Sequence, residues 1–183
     1  MGRRCHLLVA VGVLAGLACG APAGRAQPVV VQARFHADRA ALASLDRELW
    51  TPLMTAYAEN QVAPYLAAFA PDAVLASGTM PTLSPLAEQR PAIERRFLVR
   101  RGHVGQFRVE YRFTERAAYR EWSSERGILA ETDPNGTEYY EFHYFARRLD
   151  GAWRITTAYT KRLPREAAAA FATAAAVGDH ERF

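Results

Sequence analysis

The chain has 183 residues, of which 23 are basic and 19 acidic, and its formal net charge at pH 7 is +4. Residues 1–26 hold three of the arginines and none of the acids, so the remaining chain has 20 basic and 19 acidic residues. A nearly neutral chain gives no support for binding to nucleic acid or another polyanion. Both cysteines, Cys5 and Cys19, lie in the same first segment, which excludes a disulfide and a cysteine metal site from residue 27 onward.

The first 26 residues have the pattern of a secretory signal peptide. Two arginines precede an apolar run, residues 7–19, and small residues lead to a cut before Gln27. A membrane-spanning helix needs about 18 or more apolar residues, so this run is too short, and no other run of that length follows. We therefore expect an exported protein, periplasmic or secreted. The alternative is lipidation at Cys19, against which Gly16 counts because a bulkier aliphatic residue is usual there.

The N-terminal half of the mature chain is predicted to be helical. Asp38 is a suitable N-cap for a helix that ends near residue 60, and leucines recur along it at helical spacing. Pro52 either kinks this helix or divides it in two. A second short helix is expected over residues 65–70, followed by a short strand over residues 72–77.

A proline-rich segment and an arginine-rich helix follow. Three prolines predict that residues 79–91 are mostly loop. An amphipathic helix is expected over residues 92–101, with Ile93, Phe97 and Leu98 facing inward. Its arginines are expected to form a solvated face: Arg95, Arg96, Arg100 and Arg101.

Strand-like runs joined by short turns fill the C-terminal third. In residues 107–113, aromatic and aliphatic side chains alternate strictly with charged ones, as in a half-buried strand. A weaker, bent strand is expected over residues 118–132. Turns at 133–136 and 149–151 separate two long strands that must pair antiparallel. The alanine-rich tail, residues 163–183, predicts a marginal helix that frays or docks on a partner.

Two segments resemble the nuclear transport factor 2-like superfamily, and within it the SnoaL-like and ketosteroid-isomerase-like branch. The first segment, residues 56–75, has an aromatic residue and an asparagine, a leucine-rich turn and Asp72 before the first strand. The second, residues 140–155, has Asp-Gly-Ala-Trp-Arg-Ile between two strands. The resemblance covers residues 38–162. One departure is Gln89-Arg90-Pro91, where relatives often have a glycine before the helix that follows their first strands. We expect a rebuilt loop there, at a position that contributes to the pocket mouth in relatives.

The resemblance implies an α+β fold with the shape of a cone. In this cystatin-like or SnoaL-like cone, a strongly curved antiparallel sheet wraps around the N-terminal helices and leaves a pocket at its open end. The expected domain organisation then follows in chain order: a signal peptide over 1–26, an arm over 27–37, the cone domain over 38–162 and the tail over 163–183.

Glu141 and His143 are the candidate catalytic residues, because side chains two apart on a strand share one face. If that face is concave, a carboxylate and an imidazole lie among aromatic rings and could move a proton. The alternation does not decide the orientation, since the opposite face is also aromatic. In the alternative, Tyr140, Phe142 and Tyr144 point inward instead.

Aromatic side chains are the candidate ligand-binding residues of the pocket: Trp50, Tyr57, Phe97, Tyr111, Tyr139 and Tyr159. The histidines show no ligand spacing and the chain has no glycine-rich phosphate loop, so we expect neither a metal nor a cofactor. We expect a homodimer that binds a small, largely apolar molecule. The alternatives are an isomerase- or hydratase-like enzyme and a non-catalytic interaction module of the cell envelope.

Overall fold

The computed structural model describes residues 38–78 and 80–179, and the predicted signal peptide, arm and Cys19 lie outside this part of the chain. Its helices are α1 (Arg39–Leu45), α2 (Thr51–Ala58), α3 (Val62–Ala67), α4 (Leu86–Val99) and α5 (Ala167–Thr173). Its strands are β1 (Phe69–Ser77), β2 (Met80–Pro85), β3 (Arg108–Tyr119), β4 (Trp122–Asp133), β5 (Gly136–Leu149), β6 (Ala152–Arg162) and β7 (Ala175–Ala176). No helix of the described residues is long and apolar enough to cross a membrane.

The seven strands of this part of the chain form one sheet in the order β2-β1-β6-β5-β4-β3-β7. Neighbouring strands pair antiparallel except β1 and β6, which run parallel. Register shifts interrupt the β3–β4 and β5–β6 ladders, and such irregularities bend strands and increase their twist. The sheet is curved, so the expected α+β cone is confirmed, with one parallel pair that the sequence did not predict.

A π-helical turn, Asp46–Trp50, joins α1 to α2. The Asp38 carboxylate accepts hydrogen bonds from two backbone N–H groups of the first turn of α1, so this residue is the N-cap that the sequence predicts. Pro52 lies in the first turn of α2, where its missing N–H has no helical acceptor to lose. Helical residues run without a break from Arg39 to Ala58, so Pro52 does not divide the helix in two, and the irregular turn precedes the proline.

Within the predicted loop over 79–91, the described residues 80–91 form a strand and the start of a helix. β2 occupies the edge of the sheet, where prolines are tolerated because they need not donate to a ladder. α4 begins at Leu86 and continues through Pro91, and the buried side chains of Leu86 and Phe97 anchor it on both sides of the proline. The side chain of Leu98 is 55% exposed, contrary to expectation. Arg100 is buried instead, since it lies three residues after Phe97 on the same helix face.

The predicted bent strand over 118–132 is a hairpin, since β3 ends at Tyr119 and β4 begins at Trp122. The turn between β5 and β6 matches the prediction. There, Asp150 and Gly151 have φ angles of 49° and 79°, which suit a tight hairpin turn. The alternation predicted for residues 107–113 is also confirmed, with Tyr111 and Phe113 buried.

Trp50 is fully buried at the centre of the core, against the inner face of the sheet. Its ring centroid lies 4.8–5.8 Å from those of four aromatic residues: Tyr111, Phe113, Phe142 and Tyr144. These rings come from β3 and β5, so one side chain of the π-helical turn bridges two strands that β4 separates.

A buried charged network fixes the π-helical turn to the β3–β4 hairpin. Arg116, whose side chain is 0% exposed, donates to both carboxylate oxygens of Asp46 at 3.1 and 2.6 Å. Its Nε donates to Oε1 of Glu125 at 2.6 Å, and Trp50 Nε1 donates to Oε2 of the same carboxylate at 2.9 Å. Burial raises the pKa of Glu125, although the Arg116 guanidinium acts in the opposite direction.

The C-terminal tail docks on the same sheet. β7 pairs antiparallel with β3 at Phe113 and Arg112, and Ala175 is buried. The backbone N–H of Gly178 donates to Oδ2 of Asp46 at 2.7 Å. The tail therefore contacts its own domain up to residue 178, contrary to the expectation that it frays or docks on a partner.

A substitution at Gly127 tests how closely β3 and β4 approach each other. A Cβ at this position would lie 1.9 Å from the backbone carbonyl oxygen of Arg112, which cannot move without shifting β3. We expect Gly127→Ala to lower the free energy of unfolding by about 3 kcal/mol or more, measured by urea titration. The control is Gly102→Ala, whose Cβ would meet no heavy atom within 4 Å. Equal stability of the two variants would contradict this packing.

Candidate functional site

A cavity of about 560 Å³ opens between the inner face of the sheet and helices α2, α3 and α4. Its apolar wall is formed by residues that include Phe69, Leu75, Ile93, Val109, Leu129 and Ala158. Ligand pockets have volumes of about 300–1,000 Å³ and are mostly apolar with a few polar groups. The cavity has the size and the wall of a small-molecule site.

Five tyrosines line the cavity: Tyr57, Tyr65, Tyr111, Tyr140 and Tyr144. Tyr111 and Tyr144 are only 3% and 6% exposed, and burial raises the pKa of each hydroxyl. Burial raises the pKa of Tyr65 as well. These groups stay protonated at physiological pH, so they offer hydrogen-bond donors and acceptors without adding charge to the wall.

Three side chains lie close to the Glu131 carboxylate at one end of the cavity, and two of them donate hydrogen bonds to it. The hydroxyl of Tyr57 donates to its Oε1, and Arg100 Nη2 donates to the same oxygen at 2.5 Å. Arg96 Nη1 lies 3.9 Å from this oxygen, which is beyond hydrogen-bond distance. Two donors therefore hold the Glu131 carboxylate in place.

Arg100 is the buried support of this arrangement, not part of a solvated face. Its guanidinium carbon lies 4.5 Å from the ring centroid of Tyr57 and 4.4 Å from that of Phe107, so the cation is sandwiched between two aromatic rings. Burial raises the pKa of Tyr57, and the negative charge of Glu131 raises it further. Tyr57 is thus a neutral donor held between a carboxylate and a guanidinium.

A second set of hydrogen-bonded polar side chains lies at the cavity wall. Tyr140 donates to Glu138 Oε2 at 2.6 Å, and Arg162 donates to the other oxygen of that carboxylate. Burial, followed by the hydrogen bond to Glu138, raises the pKa of Tyr140 to about 12. The charge of Arg162, which lines the cavity, is thereby paired with a carboxylate.

Glu141 and His143 lie on the outer face of the sheet, away from the cavity. His143 Nε2 is 3.0 Å from the Ser124 hydroxyl, and its ring centroid is 4.5 Å from that of Phe145. Burial and the nearby Arg126 lower the pKa of His143, and Arg126 also pairs with Glu141 at 3.5 Å. The orientation that the sequence left open is decided here, because the opposite face of β5 packs against Trp50.

The structure brings only two of the six predicted ligand-binding residues, Tyr57 and Tyr111, to the cavity wall. Trp50 is core, and Phe97 is buried behind the wall, with its ring 6.0 Å from that of Tyr57. Tyr139 packs against Phe171 of the tail, with ring centroids 5.6 Å apart. Tyr159 pairs with His143 across the β5–β6 ladder, so it faces outward.

Sequence reasoning missed the charged residues of the site. Glu131 shares a strand face with Leu129, and that alternation becomes readable once the hairpin turn at residues 120–121 is placed. Arg96, which the sequence predicts on a solvated face, lines the cavity. Gln89 lines the cavity from within α4, so the mouth there is helical and not the rebuilt loop that the departure from the family pattern suggested. Within the described residues, no group of three His, Cys, Asp or Glu side chains is placed to hold a metal ion.

Comparison with known proteins identifies the architecture. No family model matches the chain, and no curated protein matches it. A solved NTF-2 like protein of unknown function from Shewanella oneidensis aligns with a TM-score of 0.52 and 12% identity, over 61% of this chain and 92% of that one. The chain has the nuclear transport factor 2-like fold.

A second solved structure agrees with this assignment. An uncharacterized protein with a cystatin-like fold from Caulobacter vibrioides aligns with a TM-score of 0.53 and 14% identity, over 72% of this chain and 95% of that one. The fold expected from the sequence resemblance is thus confirmed. At these identities the comparison establishes the nuclear transport factor 2-like fold alone, so function has to be argued from the cavity.

Proposed function

We propose that this chain is an exported domain that binds one small, largely apolar molecule in the cavity of its nuclear transport factor 2-like fold. The observation that carries the proposal is the cavity of about 560 Å³, which is lined by aromatic and aliphatic side chains and has charged groups at one end. Export is inferred from the signal-peptide pattern of residues 1–26. Recovery of the chain from the periplasm with Gln27 as its first residue tests that part.

Blocking the entrance tests the binding proposal. Ala92 lines the cavity from the exposed side of α4, so Ala92→Trp narrows the mouth without filling the core. We expect this variant to bind anilinonaphthalene sulfonate, a fluorescent probe with an apolar ring system, about tenfold more weakly than the unmodified chain. The reason is that the indole ring of the new tryptophan occupies part of the entrance. Fluorescence titration measures the affinity.

The matched control is Ala87→Trp, which lies on the same helix, is exposed and does not line the cavity. It should keep the affinity of the unmodified chain. If both variants bind the probe as the unmodified chain does, the probe occupies another surface and the cavity is not the binding site.

A proton-transfer enzyme of the isomerase or hydratase type is the second candidate. It is favoured by the Glu131 carboxylate, which lines the cavity and accepts a hydrogen bond from Tyr57. A carboxylate can take a proton from carbon when a substrate lies within hydrogen-bond reach, and a neutral tyrosine can stabilise the developing oxyanion. Glu141 and His143 lie outside the cavity, so Glu131 takes over the role that the sequence assigned to them.

Deuterium exchange at the α-carbon of a panel of enones and ketones tests this second candidate by NMR. If the chain is an enzyme, Glu131→Gln should reduce the exchange rate by at least about 100-fold, since general-base catalysis contributes about 10²–10⁴-fold. Glu141→Gln on the outer face should keep the rate. The urea unfolding midpoint of Glu131→Gln checks that any loss does not come from unfolding, since this substitution removes the charge that Arg100 pairs with. Exchange that persists in Glu131→Gln contradicts the assignment.

We also propose a homodimer through the outer face of the sheet. Trp122 and Phe145 share this face and are each 41% exposed, and exposed apolar residues grouped on one face can mark an interaction site. Phe145→Glu should convert the dimer into a monomer in sedimentation velocity. The control is Leu83→Glu, which changes another exposed apolar residue on the edge strand β2. An unmodified chain that sediments as a monomer contradicts the dimer.

A further inference from the structure

The charges around the cavity do not balance. Two arginines and one glutamate line it: Arg96, Arg162 and Glu131. Arg162 pairs with Glu138, and Glu131 pairs with Arg100, which lies behind the wall. Each of these two pairs is neutral. One positive charge, that of Arg96, is left over at the cavity.

Arg96 is placed to meet a ligand. Its side chain is 58% exposed at the mouth, and its one ion pair within the part of the chain that the structure describes is the 3.9 Å approach to Glu131. That distance is too long for a hydrogen bond, and the Glu131 oxygen in question already accepts from Tyr57 and Arg100. The guanidinium therefore keeps its planar set of donors for another acceptor.

The opposite end of the cavity is lined by uncharged side chains. Leu129, Tyr111 and Tyr144 are buried there on β4, β3 and β5, and both tyrosines stay uncharged because burial raises the pKa of their hydroxyls. A charged group placed among them would lose its hydration without gaining an oppositely charged partner. A ligand that fits a cavity with an uncharged inner end and a positively charged mouth has its apolar body inside and its own charge at the mouth.

We propose that the cavity binds a monocarboxylate with an apolar body, whose carboxylate pairs with Arg96. This inference rests on the proposed binding function and names the ligand class for the same cavity. An arginine guanidinium matches the two oxygens of a carboxylate with two parallel hydrogen bonds, a geometry that an alcohol or an amine cannot reproduce. A cationic ligand is disfavoured because the neighbouring Glu131 is already neutralised by Arg100.

Two fluorescent probes that share one ring system test the proposal. Pyrenebutyric acid and pyrenebutanol have the same apolar body and differ in whether the chain ends in a carboxylate or a hydroxyl. We expect the acid to bind the full mature chain about tenfold more tightly at low ionic strength. Arg96→Gln should abolish this preference and leave the affinity for pyrenebutanol within about twofold. Arg96→Lys should restore part of the preference, because it keeps the charge and loses the planar geometry.

The matched control is Arg95→Gln, which removes the same charge from the neighbouring, exposed position that does not line the cavity. It should retain the preference for the acid. Equal binding of acid and alcohol by the unmodified chain would overturn the carboxylate proposal and leave the binding function standing. Tighter binding of pyrenemethylamine would overturn it in favour of a cationic ligand, and a failure of every probe to bind would overturn both proposals.

Discussion

The buried contact of Arg116 with Asp46 and Glu125 is the constraint on which the placement of the other parts depends. It joins the π-helical turn, β3 and β4 in a region from which water is excluded. Two carboxylates and one guanidinium are stable there only together, since removing one partner of a buried pair typically costs about 3–5 kcal/mol. Through Glu125 the same contact orients Trp50, and through Asp46 it receives the C-terminal tail.

Trp50 connects this charged network to the wall of the cavity. Its ring packs against Tyr111 and Tyr144, and the same two tyrosines form the inner end of the cavity wall. The narrow end of the cone is filled by the core, whereas the wide end, between α4 and the sheet, stays open. Charged groups lie at the open end because they keep contact with water there. Arg100, which is buried at that end, is paired with Glu131 and stacked on two rings.

Much of the fold could be predicted because it depends on local chemistry. The Asp150-Gly151 turn, the alternation before Phe113 and the Asp38 cap each follow from a few neighbouring residues, and each is present. The errors arose where tertiary packing overrode local preference. Prolines predicted a loop at residues 79–91, but the edge position of β2 and the buried anchors of α4 accommodate them. The parallel pairing of β1 with β6 joins segments far apart in the chain and leaves no local signal.

The candidate site, like the fold, could be predicted from the sequence only in part. Period-two alternation along β5 was enough to place Glu141 with His143 on one face and Phe142 with Tyr144 on the other, because a strand turns successive side chains to opposite sides. It could not say which face is concave, since both carry aromatic rings. The tertiary structure decided this through Trp50, whose ring packs against Phe142 and Tyr144 and so makes their face the inner one. Likewise, the meeting of Tyr57, Arg100 and Glu131 depends on how three separate elements pack, and no spacing in the chain encodes it.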